Sequence, residues 1–334
     1  MRVAIVHDDV GPGDAPDALE VLEQARAVQD AVTALGHTAE CFQCTLDLQG
    51  VMDRLTAWKT DLVFNLVESL EGKGRLIHLP LFYLDAMGIP YTGARAEAML
   101  FTSHKLMAKR WMAAAGIPTP AWVGPYPEAV RQATMSGKPP DTWIIKSVWE
   151  HASIGLDEKS LVEGATPETA FSLLAAQASK LGGACFAERF IDGREFNLTL
   201  LAGPKEVQVM PPAEIVFEGY GADMPRIVDY AAKWEKNTFG YQHTVRRFDF
   251  PPTDQPLLAV LAVLARRCWD VFGLRGYARV DFRVDTDGWP WVLEVNANPS
   301  LSPDAGYAAA LTQSGLPFTE AVLQIIGDVQ GVSV

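Results

Sequence analysis

The sequence predicts an α/β protein that opens on a small parallel sheet and continues into further mixed α and β structure. Three observations carry this. Short β-branched runs alternate with stretches of helical apolar spacing over residues 1–93. A chain of 334 residues has room for about two domains, or three small ones. Hydrophobic residues at 49% against charged residues at 21% are the balance of a chain with a substantial core.

The elements follow in order. "RVAIVHD" (2–8) is a buried strand, and residues 17–35 carry apolar side chains at helical spacing up to Gly36. "DLVFNLVE" (61–68) is a second strand, and "LFYLDAMGIPYTG" (81–93) reads as helix, turn and short strand. Thr102 or Ser103 can cap a helix that ends before Gly116 and two prolines. "TWIIK" (142–146) is a strand that runs into the Gly-bearing loop 147–155. Residues 185–203 read as a hairpin about Asp192-Gly193. The polar, aromatic segment 218–246 is long enough for a working loop. An amphipathic helix at 254–273 precedes a strand pair around Asp287-Gly288.

The formal charge, 28 − 41 = −13, argues against general binding to nucleic acid or to an anionic membrane. The N-terminus turns acidic too early for a signal peptide, and no stretch approaches the roughly 18 apolar residues of a membrane span. The expectation is a soluble, cytoplasmic protein. Cys41, Cys44, Cys185 and Cys268 show no disulfide framework. "CFQC" has the CxxC spacing, but no further ligands lie nearby to complete a zinc site.

The last strand pair carries the sharpest chemistry. Arg279, Asp281 and Arg283 share one strand face, and Val292, Glu294 and Asn296 share one on the return strand. An even-numbered hairpin loop brings Arg279, Asp281, Glu294 and Asn296 to one surface, whereas a three-residue loop would break that coincidence. Two carboxylates and an amide oxygen form a hard donor set suited to Mg²⁺, and Arg279 suits a phosphoryl group. The same residues also suit an ion-pair network on a solvated sheet face.

"RVDFRVDTDGWPWVLEVNANPSLSP" resembles the metal-binding end of ATP-grasp ligases, closest to the D-alanine–D-alanine ligases. "VFNLVESLEGKGR", "GIPYTGARAEAMLFTSHKLMAK", "IIKSVWEHASIG", "ERFIDGREFNLTLL", "PPAEIVF" and "DYAAKW" occur in the family's order and approximate spacing. The resemblance implies a Rossmann-like domain over 1–93, then a two-part ATP-grasp fold over 94–187 and 188–334. It implies ATP as cosubstrate with Mg²⁺, or Mn²⁺ as an alternative ion.

By the same resemblance, Lys105 and Lys146 would hold phosphates, and Lys233 would reach in from the loop at 218–246 as a catalytic and nucleotide-binding residue. Glu188 and the backbone through Arg189 and Ile191 would read the adenine, and Glu195 would take the ribose. Asp281, Glu294 and Asn296 would hold the metal, and Arg279 would steady the transferring phosphoryl group. Ser153 and Gly155 would form the tight part of a loop over the phosphates. Ser300 would present a backbone donor to the tetrahedral intermediate. Substrates would be small carboxylates or amino acids and amines, and a homodimer is an expectation from the family alone.

The departures fall where the family binds its amino acids. The family's paired serines are Ala152-Ser153, the tyrosine after the loop lysine is Trp234, and Pro-Gly-Met-Thr is replaced by Pro299-Ser300-Leu301-Ser302. The glutamate that holds the first ammonium has no clear counterpart among Asp8, Asp9, Asp17 and Glu20. These features imply an ATP-dependent amide or peptide ligase with altered amino-acid specificity. A genuine D-alanine–D-alanine ligase of cell-wall synthesis and a silent nucleotide-binding protein are the alternatives.

Overall fold

The computed structural model describes residues 1–11, 13–125, 141–150, 153, 155–221 and 224–330. β1 (Arg2–Asp8), α1 (Pro16–Ala34), β2 (Thr38–Cys44), α2 (Leu48–Ala57), β3 (Leu62–Asn65) and α3 (Leu79–Met87) build a parallel sheet in the order β2-β1-β3. The segment 61–68 leaves the sheet at Asn65, earlier than expected. Leu66 N–H still reaches Val6 O, but Glu68 N–H turns to the Asp8 carboxylate at 2.7 Å. The short strand expected near residue 91 is a lone parallel bridge from Tyr91 to Val63. Cys41 and Cys44 lie three positions apart on β2 and enter different cores, so CxxC makes no joint site.

α4 (Ala96–Ser103) and α5 (Lys105–Ala114) follow. Thr102 and Ser103 do not cap α5. They end α4 with their hydroxyls donated back to Met99 and Ala98 carbonyls, and His104 Nδ1 caps α5 by accepting from Met107 N–H. An antiparallel sheet comes next, from β4 (Trp122–Val123), β5 (Asp141–Ser147) and β6 (Leu161–Ala165). α6 (Pro167–Ser172) and α7 (Leu174–Gln177) lead to its fourth strand, β7 (Cys185–Arg189), in the order β4-β7-β5-β6.

The third sheet begins at β8 (Gly193–Leu201) and takes in β9 (Gln208–Val209) and β10 (Ala213–Phe217). After α8 (Tyr230–Trp234) and α9 (Phe239–His243) come β11 (Thr244–Arg247), α10 (Gln255–Phe272), β12 (Tyr277–Asp285) and β13 (Pro290–Asn296). Its order is β11-β10-β8-β12-β13, with β9 on β8. The segment 218–246 is thus more regular than its composition suggests, with two short helices and a strand start. α11 (Gly306–Ser314) and α12 (Phe318–Gln330) return to pack on α1 and β1, where Val3, Ile5, Val28, Tyr307, Val322 and Ile325 share one core.

β7 and β8 are strands, but they are not a hairpin. β7 pairs with β4 and β5, and β8 pairs with β10 and β12, so Phe190–Asp192 carries the chain from one sheet to the other. The reason lies at Gly193, whose φ of 143° puts its Cα where a Cβ would strike the Val284 carbonyl oxygen. That close approach locks the start of β8 onto β12. Gly193→Ala is expected to destabilise the protein by about 2–4 kcal/mol, read from urea unfolding, and an unchanged midpoint would contradict the close-packing account.

The β12–β13 loop also departs from expectation. Asp285 N–H bonds Trp289 O, so Thr286–Gly288 form a three-residue turn, which alone would separate the two faces. A β-bulge restores the match. Pairing runs Val284↔Pro290, Arg283↔Trp291 and Phe282↔Val292, then skips Leu293 and resumes as Asp281↔Glu294 and Arg279↔Asn296. Val292 therefore points into the core at 0% exposure, away from Glu294. Leu293, which strict alternation would set opposite Glu294, lines the cleft beside it.

Candidate active site

A cleft of about 600 Å³ separates the two antiparallel sheets. Its floor is made by alternation. Ile144 and Lys146 on β5, Phe186 and Glu188 on β7, and Glu195 and Asn197 on β8 all face it, as do Arg279, Asp281 and Arg283 on β12. Among the expected site residues, Lys105, Lys146, Ser153, Glu188, Arg189, Ile191, Glu195, Lys233, Arg279, Asp281, Glu294, Asn296 and Ser300 line this cleft. Gly155 stands just behind its wall, packed on Lys180 O and Leu181.

One end is cationic. Lys105 donates from Nζ to Glu150 O at 2.6 Å, and Lys146 to Glu188 Oε1 at 2.6 Å. Burial lowers the ammonium pKa values of Lys105 and Lys233, which Glu294 opposes in both. Burial would lower Arg279 too, but Asp281 outweighs it and raises the guanidinium. Arg279 holds Asp281 by a two-bond fork at 2.7 and 2.9 Å.

Ser153 and Gly155 both adopt left-handed backbone, φ 61° and 74°, and Ser153 Oγ donates to Val228 O at 2.8 Å. That bond ties the loop at 147–155 to the segment leading into α8. His151, Ala152 and Ile154 of the same loop lie outside the described residues.

Asp281 and Glu294 oppose each other across two paired strands, with Asn296 two residues on. Burial raises the Asp281 carboxyl and Glu294 adds to the effect, while the Arg279 fork pulls it down. Asn197 Nδ2 steadies Asp281 Oδ1 at 2.8 Å. Among the described residues no cluster of three or more His, Cys, Asp and Glu side chains forms a metal site. Here the donors are two carboxylates and an amide, an all-oxygen set whose mutual repulsion a dication would relieve, so the residues fit Mg²⁺.

Sequence reasoning missed several groups. The Glu188 carboxylate lies between Lys146 and a second lysine, Lys109, which is 1% exposed. Glu195 pairs with Arg283 at 2.8 Å, its register partner across the sheet. At the far end, Glu20 accepts from Ser300 Oγ at 2.9 Å. One helical turn on, Gln24 accepts from Leu301 N–H and donates to Glu68 at 2.7 Å.

Of the four first-loop acids, Glu20 alone lines the cleft. Asp8 is buried under Glu68 N–H and Ser69, and Asp17 accepts from Tyr230. Burial and the Asp8 charge push Glu68 up to about 8. The signal for Glu20 and Gln24 was present as an i, i+4 pair on α1, but nothing in the sequence says which helical face meets a turn some 280 residues away.

A parallel sheet followed by two antiparallel sheets with lysines and carboxylates between them is the architecture of the ATP-grasp ligases. It is shared with the ATP complex of Bacillus anthracis D-alanine–D-alanine ligase at TM-score 0.72 and 17% identity, covering 99% of this chain and 97% of that one. A family model described as the D-ala D-ala ligase C-terminus matches residues 112–327. A D-alanine–D-alanine ligase of Moorella thermoacetica is 32% identical over 323 residues, 91% of this chain and 93% of that protein. One from Synechococcus sp. strain JA-3-3Ab is 30% identical over 323 residues, 92% of this chain and 88% of that protein. The chain therefore belongs to the D-alanine–D-alanine ligase family, ATP-dependent, ADP-forming carboxylate–amine ligases. Among the described residues, no helix is long and apolar enough to cross a membrane.

Proposed function

We propose that this protein joins an amino-acid carboxylate to an amine through an acyl phosphate, with a substrate pair other than two D-alanines. The observation that carries the ligase reading is the bulged register, which gathers Arg279, Asp281, Glu294 and Asn296 on one face opposite Lys105 and Lys146. Altered specificity is supported by the replaced residues Trp234, Ser300, Leu301 and Ser302. Trp234 and Ser300 line the cleft, and Ser302 is fully buried.

A carboxylate is a poor acyl donor because its oxide cannot leave. A carboxylate oxygen bonds the γ-phosphorus while the bond to ADP breaks. The amine then attacks the carbonyl carbon, phosphate departs, and the amine loses a proton. Bound Mg²⁺, held by Asp281, Glu294 and Asn296, would supply charge neutralisation on the phosphates. Lys105 and Lys146 orient them, and Lys233 and Arg279 offset charge as the phosphoryl group moves. The Ser300 N–H is the donor assigned to the carbonyl oxyanion. Glu20 and Glu68, at the end away from the lysines, suit an ammonium group. The two sheets that flank the cleft limit the access of water to the acyl phosphate.

The relatives' names favour a second reading, the D-alanine pair itself. ADP release measured over amino-acid and amine pairs separates the two. Turnover with a pair other than two D-alanines, at least 10-fold better in kcat/KM, is expected. A strong preference for two D-alanines would overturn the altered-specificity part and leave the ligase reading standing.

A further inference from the structure

The floor of the cleft holds a charge arrangement that phosphate binding alone does not require. Glu188, 1% exposed, lies between two ammonium groups. Lys146 bonds Oε1 at 2.6 Å, and Lys109 pairs with Oε2. Lys109 is itself 1% exposed, donates to Thr119 Oγ1 at 2.8 Å, and stands 5.8 Å from the Trp122 ring.

Lys109 sits one helical turn after Lys105 on α5, so one helix carries a cation that lines the cleft and a cation beneath it. The helix start is tied to the loop after β5. Lys105 N–H donates to Val148 O at 3.0 Å, and the His104 ring meets Trp149 at 4.4 Å.

We infer that Lys109 is a positioning residue for Lys146: by sharing the Glu188 carboxylate it leaves Lys146 with net positive charge to offer a nucleotide phosphate. The reasoning is charge balance in a poorly solvated place. Lys146 and Glu188 alone would form a neutral, mutually satisfied pair with little field left for a phosphate. With Lys109 added, the trio carries one net positive charge, and Lys146 is its most accessible member, with a side chain 17% exposed against 1% for Lys109 and 2% for Glu188. Burial would push the Glu188 carboxyl up, but the two lysines outweigh it and hold it below its ordinary value. Glu188 thus acts as the strut between two strands and a helix, and because the two lysines take both of its carboxylate oxygens, the adenine contacts expected of this segment fall to the backbone after it.

This inference rests on the ligase reading only in taking Lys146 to meet a phosphate, and its test reads ATP affinity rather than turnover. A fluorescent ATP analogue with Mg²⁺ is titrated into the parent protein, Lys146→Met, Lys109→Met, Glu188→Gln and the double variant Lys109→Met/Glu188→Gln. Lys109→Met is expected to weaken the analogue at least 10-fold. The double variant, in which Lys146 again carries an uncompensated charge, is expected to return to within about 3-fold of the parent.

Parent-like affinity in Lys109→Met would overturn the inference. So would a double variant as weak as the single one, which is what a purely structural role for Lys109 produces. Should Lys109→Met fail to fold, the charge-balanced double variant decides alone, with parent-like affinity supporting the inference and lost affinity refuting it. No analogue binding by the parent protein, or no effect of Lys146→Met, would instead bring down the phosphate assignment.

Discussion

Glu294→Gln is expected to reduce turnover by about 10³-fold or more, some 4 kcal/mol in the barrier, while the protein stays folded. The substitution keeps the side-chain volume and one oxygen but removes the charge that faces Asp281 across the strand pair. A dication held by two carboxylates and an amide would then face one carboxylate, and its affinity should fall with the loss of charge.

In the metal-free protein the same charge works both ways. Glu294 adds to the burial that raises the Asp281 carboxyl, and it also supports the Lys105 and Lys233 ammonium groups and the Arg279 guanidinium, so deleting it relieves one repulsion and removes several attractions. The thermal midpoint without metal should fall only slightly. Mn²⁺ binding followed by electron paramagnetic resonance, ADP release and a melting curve form one experiment. Undiminished Mn²⁺ affinity would remove Glu294 from the donor set. A collapsed melting temperature would make its role structural.

Much of this architecture was legible because it rests on local periodicity. The strands at 2–8 and 142–146, the helix at 17–35 and the one at 254–273 all appear within a residue or two of their predicted bounds. What escaped depends on contacts between distant segments. The run at 185–203 contains two strands and a glycine turn, and local rules make that a hairpin. Only Val284, some ninety residues on, requires Gly193 to join β12. The face shared by Asp281 and Glu294 was reached by assuming an even loop. The actual turn has three residues, and the bulge at Leu293 supplies the compensating step, so the conclusion holds for a different geometric reason. A bulge leaves little trace in a single sequence, since Leu293 is an ordinary strand residue. His104 as a cap was hidden by better capping residues beside it, whose hydroxyls α4 had already taken. The end of the cleft proposed for the amino-acid substrate was the least legible part, because Glu20, Glu68 and Ser300 converge there from three segments with no shared motif.

Glu68 yields a pH dependence of folding with a definite sign. In the unfolded chain its carboxyl titrates near 4.5, and in the fold it is pushed up to about 8 by burial and then by Asp8, with Glu20 adding and Gln24 and Arg279 opposing. Below about 4.5 both states carry the proton, and the group contributes nothing to the difference. Between 4.5 and about 8 the folded protein keeps a proton that the unfolded chain releases, so stability falls as pH rises through that window. Above about 8 both states are ionised and the penalty is complete. The slope can reach about 1.4 kcal/mol per pH unit. Because the side chain borders the cleft, the total should be smaller than full burial implies, about 2–4 kcal/mol.

Glu68→Gln keeps an oxygen for the Gln24 amide at the position now bonded at 2.7 Å and cannot ionise. The variant should match the parent near pH 5 and exceed it by that amount at pH 9. Asp8 and Glu20, also raised chiefly by burial, remain in both proteins and leave a shallower common slope. Urea unfolding of the two proteins from pH 5 to 9 measures the difference directly. Parallel stability curves would show that the ionised Glu68 is accommodated without cost, and the proposal that Glu68 with Glu20 takes an ammonium group would lose that support.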